Sequence, residues 1–158
     1  VLGYASGCLN MRELTKNLGM LILVWYVFGC SDQTNSLLQV RNSWVREPPG
    51  RHPISGAYME LINTSSTTCE ILRISSEQVG RVEIHKMEDD NGTMRMRKVD
   101  SLILRSGERC NLQPGGLHLM LMEISDVLKV GDTLSLMFHF SDGTKQLVES
   151  MVRKGPYE

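Results

Sequence analysis

Between residues 56 and 152 the chain repeats one plan: a short alternating or apolar run, then a turn signal. The runs are "GAYMELIN" (56–63), "CEILRIS" (69–75), "RVEIHKM" (81–87), "TMRMRKV" (93–99), "ERCNLQ" (108–113), "LHLMLMEI" (117–124), "TLSLMFHF" (133–140) and "TKQLVESMV" (144–152). Turn chemistry separates them: "PPG" at 48–50, "DDNG" at 89–92, "SGE" at 106–108, "PGG" at 114–116, "VGD" at 130–132 and "SDG" at 141–143. No long segment repeats apolar residues at helical spacing. Strands at intervals of roughly 8–12 residues with such turns predict an all-β domain over 44–154, a Greek-key β-sandwich or barrel. The chain's 158 residues, 41% hydrophobic, suffice for one core. A net charge of −1 gives no reason to expect nucleic acid as a partner.

The amino end reads differently. Residues 1–10 precede a plausible start at Met11 and read as over-extended translation. From Met11 come Arg12 and Lys16, an eleven-residue apolar run over 18–28, then Gly29 and Cys30. That is the plan of a secretory signal over 11–29, too short to span a bilayer comfortably. A cysteine directly after a small residue resembles a lipoprotein cleavage site, which makes Cys30 the lipidation residue. Phe28 departs from that pattern, so ordinary cleavage or an uncleaved anchor stays open. Residues 30–43 then form a tether. Export leaves Cys69 and Cys110 as an even pair in an oxidising compartment, available for a disulfide; the alternative is two small buried residues.

Within the domain, "LHLMLME" (117–123) alternates strictly. Leu117, Leu119 and Leu121 take one face of a strand, His118, Met120 and Met122 the other. A second group follows from the Asn91-Gly92 dipeptide, a type I′ hairpin signal. With these as the loop residues, Asp90 opposes Thr93, Asp89 opposes Met94 and Met87 opposes Met96. His85, Met87, Met94 and Met96 then share one face, with His85 diagonal to Met96. The chain has ten Met. A lone Met is usually core filler, but in 117–122 Met120 and Met122 lie opposite the leucines, and His85 and His118 share the faces of the two Met groups. Imidazole and thioether are neutral at pH 7. Such a set selects Cu(I) over Zn(II), Ca(II) or Mg(II), and only its His members lose affinity in acid.

The spacing His85, ten residues, Met96, twenty-one residues, His118, one residue, Met120 resembles the periplasmic copper chaperone family of PCuAC type. "SWVREPPG", "AYMELIN", "VEIHKM", "GTMRMRKV", "LQPGGLHLMLM" and "VGDTLSLMFHF" resemble it too. The resemblance spans 44 to about 152. It implies a cupredoxin-like β-barrel holding one Cu(I) through His85, Met96, His118 and Met120. The implied role is that of a carrier, not an enzyme, supplying a copper-accepting protein such as cytochrome c oxidase, at its binuclear copper centre, or an assembly factor of that oxidase. The expected place is the periplasm or the outer face of a membrane, by lipid anchor, as a monomer. Met87, Met94 and Met122 are additional thioethers, Met87 a substitute ligand and the others packing or support. The chain ends in "VRKGPYE" where many relatives carry a His- and Met-rich tail for Cu(II).

Two rival functions remain. Cys110, His118 and Met120 superficially echo an electron-transfer copper site, though the seven residues between Cys110 and His118 are many for its ligand loop. An exported β-sandwich binding module without metal is the other. Hydrolase motifs are missing. His52 and His139 are expected at the surface, and Arg95, Arg97 and Lys98 on a solvated strand face.

Overall fold

The computed structural model describes residues 37–155 apart from 51 and 126. These residues form ten strands and no helix: β1 (Leu38–Arg46), β2 (Ile54–Asn63), β3 (Cys69–Ser75), β4 (Val79–Asp90), β5 (Thr93–Val99), β6 (Leu102–Leu104), β7 (Arg109–Leu112), β8 (Leu117–Ile124), β9 (Thr133–Phe140) and β10 (Lys145–Arg153). They make one continuous sheet in the order β5-β4-β8-β2-β1-β10-β9-β3-β6, with β7 pairing β2. All pairings are antiparallel except β1 with β10. The expected all-β architecture is therefore present.

A single core cluster joins the two halves of this sheet. Ala57, Leu61, Ile84, Leu119 and Leu121 come from one half; Ile71, Leu134, Leu136, Phe138, Val148 and Val152 come from the other. Leu119 and Leu121 are fully buried, as the alternation of 117–122 requires. The hairpin register also matches: Met87 pairs Met96, Asp89 pairs Met94 and Asp90 pairs Thr93. Asn91 (φ 55°) and Gly92 (φ 85°) both take the positive φ that a two-residue I′ turn demands.

Two strands lie where none was expected. β1 begins at Leu38, inside the segment read as tether, so the domain starts there rather than at 44. Its alternation is hidden by a bulge: the register on β2 shifts between Arg41 and Trp44, and Asn42 has φ 51°. β6 is only three residues long. Cys30, expected as the lipidation residue, lies outside the described residues, as do the expected signal segment and the rest of the expected tether. No helix among the described residues is long and apolar enough to cross a membrane.

The disulfide expectation is not met: Cys69 and Cys110 are both free thiols. They sit on different strands, each across from a fully buried leucine, Cys69 from Leu104 on β6 and Cys110 from Leu61 on β2. Both behave as small core residues. Burial pushes both thiols above their ordinary pKa, with Asp142 adding to the effect at Cys69 and Glu108 at Cys110. Native protein should therefore resist iodoacetamide at Cys69 at neutral pH. Both cysteine peptides should alkylate without reductant after unfolding. Recovery of a Cys69–Cys110 cross-linked peptide would contradict this.

Candidate metal centre

The strand order, not the local sequence, assembles the site. β8 lies between β4 and β2, with His118 directly across from His85 and Met120 between Glu83 on β4 and Gly56 on β2. Cross-strand partners share a face. The outer face of this half of the sheet thus carries His85, Met87, Met94 and Met96, then His118, Met120 and Met122, then Tyr58 and Trp44 of β1, which pair with each other. The rings of His85 and His118 are 6.1 Å apart. Tyr58 stands 6.4 Å from His118 and 4.6 Å from Trp44.

Both imidazoles have one nitrogen committed and one free. His118 Nδ1 lies 3.0 Å from the Gly116 carbonyl. A carbonyl only accepts, so the proton sits on Nδ1 and the Nε2 lone pair is left for a ligand. His85 Nε2 lies 2.8 Å from the Glu83 carboxylate, which likewise fixes a proton on Nε2. Its Nδ1 is buried and has no hydrogen-bond partner. Histidines that bind metals show this arrangement, with the second nitrogen donating to a carboxylate or a carbonyl. Glu83 also bonds Lys98 at 3.2 Å. The bond from His85 holds the Glu83 carboxyl below the usual carboxylate range, with Lys98 acting in the same direction against some desolvation.

A cavity of about 570 Å³ opens on this face, lined by Met87, Met96, His118 and Met120 together with Trp44, Arg46, Tyr58 and Pro114. Met96 is 46% exposed, whereas His118 is 8% exposed beside the Tyr58 ring. An ion here would be held from below by His118 and reached from above past Met96. Of the remaining thioethers, Met87 lines the cavity opposite Met96. Met94 is exposed near the hairpin turn, and the Met122 sulfur accepts a bond from Arg81 at 3.6 Å; neither lines the cavity. Among the described residues no three of His, Cys, Asp and Glu are grouped to hold an ion; the soft side-chain donors lining this cavity are His118 and the thioethers of Met87, Met96 and Met120.

The remaining expectations fall as follows. Cys110 packs against the core, on the face opposite His118 and Met120, so the thiolate that an electron-transfer copper site needs is not with them. His52 is exposed. His139 is half-buried, with Nε2 2.8 Å from the Ser75 hydroxyl, and burial lowers its pKa. Arg95, Arg97 and Lys98 are exposed and pair with Asp90, Glu88 and Glu83.

Sequence reasoning assigned no role to Trp44, Arg46, Gly56, Tyr58 or Glu83. One local signal existed: Glu83 is two residues from His85 on the same strand face. The others reach the site only through β8-β2-β1 pairing. Gly56 matters because Tyr58 lies over it. A Cβ at 56 would sit 2.5 Å from the Tyr58 hydroxyl oxygen, so only glycine lets that ring fold toward the site.

Residues 38–152 match the family described as "Putative lipoprotein LpqE-like". The chain belongs to this LpqE-like family. A protein of Rickettsia prowazekii, RP573, is 31% identical over 156 residues, covering 92% of this chain and 86% of the relative. Among solved structures, the copper-bound PCuAC domain from PmoF2 superposes with a TM-score of 0.63 at 19% identity, over 75% of this chain and 94% of that one. The apo form of DR1885 from Deinococcus radiodurans gives 0.59 at 25% identity, over 76% and 80%. The LpqE-like chain therefore has the PCuAC fold that the family resemblance implied.

Proposed function

We infer that this LpqE-like protein carries one Cu(I) outside the cytoplasm and passes it to a partner protein. The supporting observation is the convergence of His85, Met96, His118 and Met120, from three strands, on one outer face with a free nitrogen on each imidazole. The donors are soft and neutral, which suits Cu(I) and leaves harder ions poorly served. Likeness to a domain solved with copper supports the same ion. The arrangement fits handover better than catalysis. Met96 and Met87 stand at the solvent side, where an incoming donor can displace one ligand at a time. The acceptor in this reading is a copper protein such as cytochrome c oxidase or an assembly factor. The chain acts as a monomer, not as an enzyme, and Cys30 is the lipid attachment point that holds it at the membrane.

Apo protein titrated with Cu(I) against a chromophoric Cu(I) chelator should take up one equivalent and stay colourless. An intense blue colour or no uptake would overturn the reading. The mass of the mature amino end tests the anchor: acylation at Cys30 is expected, and an unmodified end at another residue would refute it.

A further inference from the structure

The metal-donor cavity has a second, cationic end. Val45 is buried in the core, so Arg46, its neighbour on β1, projects to the outer face. Parallel pairing of β1 with β10 sets Arg46 beside Arg153. The Arg153 guanidinium lies 4.4 Å from the Trp44 ring centre. The Arg46 stem packs on Gly155, where a Cβ would meet Arg46 Cδ at 3.0 Å. Arg46 lines the same cavity as His118, Met120 and Met96.

Arg46 is without a counterion among the described residues. Its Nε–H is buried and has no hydrogen-bond partner. Arg81, Arg95, Arg97 and Arg109, all more exposed to water, each have a carboxylate within 3.6 Å. A buried, unpaired donor on a fixed charge is costly, and native proteins satisfy such groups. Tyr58, whose hydroxyl feels the Arg46 charge, lines the cavity with it. Ser55 is already engaged, donating to the Arg46 carbonyl. Arg46 and the Tyr58 phenol, at one end of a space lined elsewhere by thioethers, His118 and Ser55, fit a planar monoanion better than a strongly hydrated dianion.

We propose that the Arg46 end of this cavity is a carboxylate-binding site, placed so that the ligand lies beside the His118 and Met120 donors. The carboxylate comes either from a small organic acid or from an acidic side chain on a docking protein. The site itself rests on Arg46, Tyr58 and the cavity alone. Its coupling to copper rests on the proposed function: a neutral donor set leaves the charge of Cu(I) uncompensated, and a carboxylate held nearby would offset it.

The test uses the full chain with Trp25→Phe, which leaves Trp44 as the one tryptophan. Acetate, malonate and a hexaglutamate peptide are titrated into apo protein at constant ionic strength, following Trp44 emission and the Arg46 Nε–H resonance. Saturable binding is expected, about tenfold weaker or more in Arg46→Gln and unchanged in Arg109→Gln. Response to the small acids assigns a free ligand; response to the peptide alone assigns a protein side chain. An equal response to chloride, undiminished binding in Arg46→Gln, or no response to any of the three would overturn the proposal. Should Arg46→Gln fail to fold, the wild-type titration and the chloride comparison still decide it. With Cu(I) loaded, carboxylate affinity should rise. An intact apo response that copper leaves unchanged would count against copper at this face, not against the anion site.

Discussion

Replacing His118 by Ala together with Met120 by Leu is expected to lower Cu(I) affinity by roughly a hundredfold or more, since even residues that merely support a metal ligand are worth about 10–100-fold. The pair comes from one strand, two residues apart, and both side chains line the cavity. Their loss leaves Met87 and Met96 as the donors lining the cavity, with His85 on β4 across from position 118. Folding should survive. Met→Leu conserves volume and typically costs less than about 1.5 kcal/mol. The leucines of β8 that build the core, Leu119 and Leu121, are untouched. The companion variant Met94→Leu/Met122→Leu removes two sulfur atoms, one more than the first variant, from positions outside the cavity, and should bind nearly as wild type. Competition with a chromophoric Cu(I) chelator reads both. Wild-type affinity in the His118/Met120 variant would refute the ligand assignment. A large loss in the companion would move the centre toward the hairpin turn or the Arg81 end.

What could be read from the sequence was what depends on near neighbours. The face of 117–122 follows from the two-residue period of a strand. The register of β4 on β5 follows from Asn91-Gly92, because a two-residue turn leaves no freedom in pairing. β1 was missed because its bulge moves the apolar residues from one parity, Leu38 and Val40, to the other, Val45. The cationic end of the cavity was not legible either. Arg46 meets His118 and Met120 at the cavity only because β1 lies next to β2 and β2 next to β8, an order set by long-range pairing. The disulfide expectation failed for a related reason: an even cysteine count says nothing about position, and the two thiols face the core from different strands.

The largest loss of stability is expected from Phe138→Ala. Phe138 is the largest fully buried side chain among the described residues, in the middle of β9 with Ile74 of β3 on one side and Gln146 of β10 on the other. Removing the ring takes away its transfer free energy and leaves a void that strands bonded on both edges cannot close. The cost should be about 3–5 kcal/mol, a large part of what a domain of this size possesses. Urea unfolding should show it as a lower midpoint at nearly constant slope. The carrier reading adds a second expectation. Phe138 belongs to the far half of the sheet, whereas the donors stand on the outer face of β4, β5 and β8. The folded fraction of Phe138→Ala should therefore bind Cu(I) with near wild-type affinity, the reverse of the His118/Met120 variant, which should keep its stability and lose its copper. A destabilisation below about 1 kcal/mol, within the range of ordinary substitutions, would mean that β9 does not close the core. Loss of copper affinity in parallel with stability would mean that the donor face depends on packing in the opposite half.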